Sequence, residues 1–446
     1  MSESTSPKTL LAPDFRSHYR SDFLHQAAEP EWASALRSQA WEHYQNLPEP
    51  LPVQRTLRRI PLLDEARLNA AIGQPVDSAF YSNRRESWGT LAAWGELSNA
   101  QEMTVVLPAE LADKGLIFCS LAEALAQHSD KILPHLDHIL PAAKNREAAL
   151  NLAYWQNGFF VYVPRNLQIA EPLYLLQSLN QGQQALFTRS LIVLEQGAMA
   201  AVVCDFAAES QSAASLSHDV LEIALADASE LKLVHLQNWG QEVHAHSYTQ
   251  TQLGRDARLT QFNLSLGGSY HYAQSQTLLQ DKGSESLFLG LNIGGGQQHF
   301  RQQTLQDHRS PHTKSDLVYH SVLKDEAYAF FNGLIYVDPL AQKSESGQVS
   351  KSLLLSDKAR ADAIPNLEIL ADDVQSGHGA AIGSLDPEQR FYLMSRGFDR
   401  QTADTLLVEG FMEEVLLRFP HADLQRQVAA HLSLHLLSES DERSEA

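Results

Sequence analysis

The stretch RSLIVLEQGAMAAVVCDF, residues 189–206, carries the pattern that decides the fold. Two short runs of apolar and β-branched residues flank EQGA at 195–198, a polar turn that ends in small residues. Neither run shows the amphipathic period of a helix. The stretch therefore predicts two strands joined by a tight turn.

The same layout recurs between about residues 156 and 384, with turns at ADAS 226–229, GRDA 254–257 and DKGS 281–284. The turns follow one another at intervals of roughly 27 to 31 residues, which is typical of solenoid repeats. No helical segment intervenes, so a sheet of alternating strands and helices is disfavoured. The pattern favours a parallel β-helix. A β-sandwich is the alternative, because periodicity alone does not separate the two.

Helices are expected on both sides of this core. EWASALRSQAWEHYQNL, residues 31–47, repeats bulky apolar residues every four positions, as one face of a helix does. We expect an N-terminal arm followed by a helical region over residues 1–155, with 1–30 as the arm. The β-helix core is then expected at 156–384, and a C-terminal helical region with an acidic tail at 385–446.

The C-terminal region has clear helix signals. Asp386 with Pro387 after it is typical of a helix start, and Gly397 of a helix end. The next helix is predicted to bury one side, formed by Ala403, Leu406, Leu407, Phe411, Val415 and Leu416.

Composition limits the function classes. The chain has 446 residues, of which 43% are hydrophobic and 20% charged, and this size predicts more than one structural unit. Its net charge of −20 disfavours nucleic acid and anionic membranes as partners. The N-terminus is polar and no long apolar run follows, so neither a signal peptide nor a membrane span is expected. A cytoplasmic location is the resulting expectation.

The short motifs that mark catalytic, nucleotide-binding or metal sites give no strong candidate in this sequence. Cys119 and Cys204 are far apart, which argues against a disulfide framework or a cysteine zinc site, and Cys204 is expected to be buried. IGGGQQ at 293–298 lacks the pattern of a nucleotide-binding loop. His308 and His312 are four apart, but Pro311 between them favours a polar loop over a helical metal pair.

The segment ADDVQSGHG, residues 371–379, holds the strongest candidate residue, His378. Its imidazole could bind a metal such as iron or move a proton near neutral pH. The alternative is a turn histidine, with Asp372 and Asp373 as turn formers and Gly377 and Gly379 beside it. Residue types alone favour the turn.

The C-terminal half resembles the SufB/SufD family of iron–sulfur cluster assembly scaffolds. The resemblance covers about 90 residues, in which the order and spacing of the family's motifs are kept. These motifs are FFNGLI at 330–335, Gln348 with LLLS at 353–356, PNLEI at 365–369, DDV at 372–374, HG at 378–379, and FYL with SRG at 391–397. GFFVYVPRNLQIAEPLYLL at 158–176 is a weaker match at the entry to the core.

The resemblance implies a right-handed parallel β-helix core between helical ends. It also implies a SufB-like sibling as a partner in a heterodimer and a SufC-like ATPase bound through the C-terminal helical region. Such a complex assembles a nascent iron–sulfur cluster, while this chain is neither an enzyme nor an ATPase and binds no cofactor tightly alone. Length, few cysteines and a short N-terminal region resemble the SufD branch.

The resemblance also suggests roles for single residues. His378 is the candidate iron or cluster ligand at the interface with the sibling, and Gly377, Gly379 and Asp373 are expected to line that interface. The family commonly has cysteine where this chain has Ser376, and a serine hydroxyl is a poorer iron ligand than a thiolate. The same edge would allow a homodimer when partners are absent.

Two other functions stay open on the sequence. A β-helix enzyme acting on polysaccharides would use Asp372, Asp373 and His378 as acid and base groups. A purely structural partner would carry an inert His378. The acidic balance and the polar N-terminus count against the enzyme.

Overall fold

The computed structural model describes residues 29–48, 78–99, 103–179, 185–208 and 215–441. The predicted arm at 1–30 lies outside them apart from its last two residues. The helices are α1 (Glu31–Asn46), α2 (Ser78–Glu86), α3 (Ala109–Asp113), α4 (Leu121–Gln127), α5 (Ser129–Ile132), α6 (Arg146–Tyr154), α7 (Pro387–Ser395), α8 (Arg400–Leu416) and α9 (Ala422–Asp441). No helix within these residues is long and apolar enough to cross a membrane.

Strands make up most of the chain between the helices. They are β1 (Ala93–Ser98), β2 (Met103–Val106), β3 (Ile117–Ser120), β4 (Phe159–Val163), β5 (Leu173–Leu179), β6 (Ala185–Leu194), β7 (Met199–Ala208), β8 (Ser215–Leu225), β9 (Glu230–Asn238), β10 (Val243–Leu253), β11 (Arg258–Ser265), β12 (Tyr270–Leu279), β13 (Glu285–Gly294), β14 (His299–His308), β15 (Lys314–Leu323), β16 (Tyr328–Val337), β17 (Glu345–Leu354), β18 (Arg360–Ile369) and β19 (Gln375–Ser384).

The strands form two sheets, and from β4 onward successive strands alternate between them. The ten-stranded sheet has the order β19-β17-β15-β13-β11-β9-β7-β5-β1-β2, and the nine-stranded sheet has the order β18-β16-β14-β12-β10-β8-β6-β4-β3. From β4 onward each strand pairs in parallel with the strand two positions along the chain. This is a parallel β-helix, as predicted, and the β-sandwich alternative is wrong.

The first strands depart from the prediction of a wholly helical region before residue 156. β1 to β3 lie inside that region, and it is joined to the two sheets by the parallel pair β1 with β5 and the antiparallel pair β3 with β4. Burial alternates along β1, but its six residues, AWGELS, do not show a clear alternation of apolar and polar types. At this end the sheets finish on short antiparallel strands.

The four predicted turns stack in one column at a corner of the β-helix. Each joins a strand of the nine-stranded sheet to the next strand of the ten-stranded sheet. Gly197, Ala228 and Asp256 hold φ angles of 70°, 57° and 55°, in the left-handed region. Their amides donate to the carbonyls of Asp227, Arg255 and Lys282 in the next turn, at 3.0, 2.8 and 3.1 Å. The column fixes the rise from one coil to the next.

We call the space between the two sheets the bore, and its contents change along the axis. In the first coils it is filled by aliphatic side chains such as Val161, Leu175 and Val202. Further along, polar residues such as Asp219, Asn263 and Asn292 face inward and are buried. Cys204 lies in the apolar part and is buried, as predicted, and burial raises the pKa of its thiol well above the usual range.

Helices cover the outer faces of both sheets. α1, α4 and α6 pack on the first strands of the nine-stranded sheet. α2, α8 and α9 pack on the ten-stranded sheet. α8 buries Ala403, Val415 and Leu416 of the predicted face, but it also buries Val408 and Met412 and leaves Leu406 exposed. The contact with the sheet therefore selects a stripe that is partly displaced around the helix from the one that the spacing indicated.

Buried charges tie the helices to the sheets. Asp205 in β7 is fully buried and accepts hydrogen bonds from Arg84 Nε at 2.8 Å and the Tyr174 hydroxyl at 2.9 Å. On the other sheet, Arg189 Nε of β6 donates to Glu222 Oε1 of β8 at 2.9 Å with neither side chain exposed, and Glu222 Oε2 accepts from the amide of Leu140, which lies between α5 and α6, at 3.0 Å. Removing one partner of such a pair leaves an unpaired buried charge, so the helical layers are fixed in place.

We expect Gly290→Ala to lower the free energy of unfolding by about 1–3 kcal/mol, the usual cost of overpacking a core. Gly290 lies in β13 under the buried ring of Tyr319, and an added Cβ would overlap that ring. Gly347→Ala in β17 is the matched control, because its Cβ would meet only Asp316 Oδ1 at 3.5 Å. Urea titrations measure both, and equal losses would contradict tight packing at Gly290.

Candidate functional site

One end of the β-helix is uncovered within the described residues. β19 pairs there with β17 alone, and β18 with β16 alone. Each strand therefore presents a row of backbone donors and acceptors without a neighbouring strand. We call β18, β19 and the turn between them (370–374) the open end. An exposed edge of two ten-residue strands is a template for pairing with another chain.

The side chains of the open end are unusually apolar for a surface. Ile364, Leu370 and Ile382 are 47%, 50% and 45% exposed, whereas the strands one coil below carry polar Asn332 and Ser352 next to Ile364 and Ile382. Pro365 lies in β18, at a position where an edge strand tolerates the missing N–H. An exposed apolar patch joined to an unpaired edge indicates an interaction surface.

His378 lies in β19, on the side of the strand that faces the bore. The register places it next to Gln348 of β17, which lies next to Leu317 of β15. Ser376, two residues before His378, lies on the same side of β19. Its hydroxyl is 2.7 Å from that of Ser346 in β17. The imidazole is exposed and has no hydrogen bond within the described part of the chain. It therefore stands at the mouth of the bore, available to a ligand.

Gln348 closes the bore directly beneath His378. Its buried side-chain amide donates across the bore to the Asn366 carbonyl of β18, at 2.9 Å. The side-chain oxygen is buried without a partner among the described residues. The floor under His378 is thus polar and rigid.

The interpretation of His378 as a turn residue is wrong, whereas it holds for the two aspartates. Asp372 and Asp373 lie in the bend before β19, and the Asp373 amide donates to Gln342 Oε1 at 2.9 Å. His378 lies five residues further along an extended strand, about 16 Å away at the usual rise per residue. A pair of acid and base groups must be much closer to act on one glycosidic bond. The geometry therefore does not assemble the polysaccharide-cleaving site.

The glycines beside His378 leave the surface bare. A Cβ added at Gly377 or Gly379 would meet no atom within 4 Å, and neither residue has a positive φ. Their backbone conformation does not demand glycine. Their effect is to let another chain approach the backbone closely.

The described part of the chain shows no metal site built from its other histidines and cysteines. His308 is buried and its two ring nitrogens contact the Thr313 and Ser315 hydroxyls at 2.7 and 2.8 Å, while His312 lies in the next turn. His312 thus lies in a polar turn as predicted, whereas His308 is the buried last residue of β14. Cys119 is buried, which raises the pKa of its thiol to about 12. No cluster of three potential metal ligands occurs among the residues that the structure describes.

A second exposed apolar surface lies on α7. Phe391 is 74% exposed, Tyr392, Met394 and Phe398 are also exposed, and no residue of α7 is buried. Asp386 begins the helix by accepting from the Glu388 amide at 2.8 Å, and Gly397 after it has a φ of 101°. The consecutive aromatic residues FY at 391–392 are the sequence signal for this surface. We call Phe391, Tyr392, Met394 and Phe398 the α7 patch.

The α7 patch is linked to the open end through α8. Lys351 Nζ of β17 lies 2.7 Å from Glu414 Oε1 of α8, and His320 of β15 stacks on Phe411 with ring centroids 4.4 Å apart. Lys351 and His320 lie on the outer faces of β17 and β15, and β17 pairs with β19, the strand that carries His378. Both residues contact α8, the helix that follows the α7 patch in the chain.

Comparison with known proteins agrees with these features. Residues 176–411 match the family model described as the SUF system FeS cluster assembly SufBD core domain, and residues 98–175 match the SufBD N-terminal region. The chain is 27% identical to the iron–sulfur cluster assembly protein SufD of Bacillus subtilis, over 95% of this chain and 98% of that protein. It is 25% identical to SufB of the same organism, over 88% and 87%. A SufBD family protein of Staphylococcus saprophyticus is 28% identical over 70% and 67%.

We expect His378→Ala to change the free energy of unfolding of the isolated chain by less than about 0.5 kcal/mol, because the side chain is exposed and unbonded. Gln348→Ala, one coil below, is expected to cost about 1–3 kcal/mol, because it removes a buried side chain whose amide donates to the Asn366 carbonyl. Urea titrations of both variants measure the difference. A large loss in His378→Ala would mean that the histidine is structural.

Proposed function

Because the chain belongs to the SufB/SufD family of iron–sulfur cluster assembly proteins, we propose that it is the SufD-type scaffold subunit of a complex with a SufB-type sibling and a SufC-type ATPase. Nascent clusters are assembled where the two β-helices meet, and ATP is hydrolysed by the third protein. The subunit catalyses no reaction by itself, and the complex works in the cytoplasm. The match to a SufD protein along nearly its whole length supports the choice of branch.

The observation that carries the proposal is the open end with His378 at its mouth. A sibling that pairs with β18 and β19 satisfies the unpaired backbone groups and covers Ile364, Leu370 and Ile382. Gly377 and Gly379 allow the sibling's backbone to approach, and Asp373 lies at the rim of the same surface. In the absence of partners, a second copy of the chain can occupy the edge as a homodimer.

The cluster is the cargo of this interface, and the chain supplies only part of its ligands. Iron in proteins takes several ligands, whereas the described residues offer one accessible imidazole at the open end. Ser376 provides no thiolate, and its hydroxyl contacts Ser346. Sulfur and the remaining ligands therefore come from the sibling, while His378 supplies one nitrogen ligand.

The ATPase docks on the α7 patch. Four exposed apolar side chains on a short helix and the residues after it can be buried by a partner without rearranging the core. Movement of the ATPase is passed to β15 and β17 through α8, by the Lys351–Glu414 pair and the His320–Phe411 stack. Because β17 pairs with β19, such a movement changes the surface around His378.

The structural-partner hypothesis differs from this proposal only in the role of His378. The polysaccharide enzyme receives no support from the separated Asp372, Asp373 and His378. An inert partner would assemble with the same proteins through the same edge. A substitution of His378 that leaves assembly of the complex intact distinguishes an inert His378 from a cluster ligand.

We expect His378→Ala to keep the three-protein complex and to lower its yield of assembled cluster several-fold. The chain is co-expressed with its sibling and the ATPase, the complex is weighed by native mass spectrometry, and the cluster is quantified by visible absorbance and iron content. His138→Ala, an exposed histidine of the N-terminal region, is the control. An unchanged cluster yield in His378→Ala favours the inert partner. A chain that elutes alone while the other two associate overturns the scaffold proposal.

We expect Phe391→Ala to weaken binding of the ATPase while the sibling stays bound, because the variant removes the most exposed side chain of the α7 patch. Loss of a central aromatic anchor typically costs about 2 kcal/mol or more, a factor of thirty in affinity. Leu133→Ala, an exposed leucine of the N-terminal region, is the control. Equal affinities for the ATPase in both variants would place its docking surface elsewhere.

A further inference from the structure

Arg301 is a buried cation without a counterion. It lies in β14, on the outer face of the nine-stranded sheet, and only 4% of the residue is exposed. Its Nε and Nη1 atoms are buried and have no hydrogen-bond partner in the structure. The other buried arginines of the described residues differ, because Arg189 pairs with Glu222 and Arg37 with Glu29.

Aromatic rings are the immediate neighbours of this guanidinium. Its Cζ lies 5.7 Å from the centre of the Tyr272 ring and 5.1 Å from that of Phe330. Such contacts contribute about 0.5–2 kcal/mol each. Burial of an unpaired ion costs several kcal/mol, and arginine cannot escape that cost by losing its proton. The rings alone therefore do not balance the buried charge.

No described carboxylate is placed to balance it either. Asp362 of β18 lies in the same outward column two strands away, at about twice the strand spacing of 4.8 Å. It accepts a hydrogen bond from the Tyr328 hydroxyl at 2.7 Å. On the other side, Glu147 lies 3.3 Å from His218 Nε2.

Two further polar atoms on this face are buried and unsatisfied, namely the Tyr270 hydroxyl one strand from Arg301 and His246 Nε2 two strands from it. Tyr272 pairs in register with Arg301 on one side and with His246 on the other, and Tyr270 lies two residues before Tyr272. The ring centres of His246 and Tyr270 are 5.7 Å apart. The three unsatisfied groups thus share one patch across three adjacent strands.

The protonation of this patch suits an anion. Burial lowers the pKa of His246 to about 3 and raises the pKa of Tyr270 to about 12. At neutral pH the imidazole is uncharged and can present one N–H, and the phenol keeps its proton. Arg301 then carries a positive charge with donors beside it. His246 and Tyr272 are only half-buried, so the patch is not sealed from solvent.

We propose that this patch binds a small oxyanion of the phosphate type, with the Arg301 guanidinium as its charged partner and the Tyr270 hydroxyl of the adjacent strand as a further hydrogen-bond donor. Paired N–H groups of a guanidinium match two oxygens of such an anion, and a desolvated setting strengthens each bond. The site lies on the outside of the nine-stranded sheet and is separate from the open end. It requires neither the sibling nor the ATPase.

Isothermal titration of the full chain with inorganic phosphate, against chloride at equal ionic strength, tests the proposal. We expect saturable binding to the wild type and a loss of at least about tenfold in affinity for Arg301→Gln, as removal of a charge-assisted hydrogen bond predicts. Arg255→Gln removes the same charge from an exposed turn and is expected to bind as the wild type does. Arg301→Lys, which keeps the charge but not the fork, is expected to bind with intermediate affinity.

Tyr270→Phe keeps the proposal testable if Arg301→Gln does not fold. This variant removes one donor without changing charge, and it is expected to weaken phosphate binding several-fold. Phosphate should also raise the melting temperature of the wild type, and raise that of Tyr270→Phe less. Absence of saturable binding to the wild type, or equal binding to wild type, Arg301→Gln and Tyr270→Phe, would overturn the site and leave water as the occupant of the patch.

Discussion

The structure depends on one constraint, which is that each strand of the parallel β-helix obtains its hydrogen bonds from the strands two positions before and after it in the chain. Inside the stack this satisfies nearly every backbone group of both sheets. At the last coil no later strand exists, so β18 and β19 keep an unpaired edge. The repeat that builds the core therefore also creates the surface through which we propose that it works.

The stack is kept in register by features that lie outside the sheets. The turn column sets the rise of each coil through amides that donate from one turn to the next, and it places non-glycine residues such as Ala228 and Asp256 in left-handed conformations. These conformations cost about 1–2 kcal/mol each in an isolated chain. The parallel pairing that follows each turn offsets this cost, so the turns and the sheets require one another. As a result His378 and Gln348 lie in one column.

Much of this architecture could be predicted, because its signals are local. The spacing of the polar turns at 195–198 and 226–229 indicated coils of the observed length, and Asp386 with Gly397 bounded α7. The directions in which side chains point from a strand or helix were harder to predict. The side of β19 that faces the bore depends on pairing with β17, and the buried face of α8 depends on the sheet beneath it. The sequence therefore led to Leu406 where the structure buries Val408 and Met412.

Long-range pairs explain the remaining gaps between sequence and structure. Asp205 and Arg84 are separated by 121 residues, and neither has a sequence neighbourhood that indicates an ion pair. Arg301 is likewise an ordinary residue of an alternating strand until the fold places it between Tyr272 and Phe330 without a carboxylate. Burial gives such residues their chemistry, because a charge that is cheap in water becomes costly inside a protein. A β-helix stacks outward-facing residues in columns, so the charge balance around a cation on one strand depends on its neighbours one and two coils away. In this column those neighbours are Tyr272 and Phe330 one coil away and His246 and Asp362 two coils away, and the Asp362 carboxylate accepts a hydrogen bond from the Tyr328 hydroxyl.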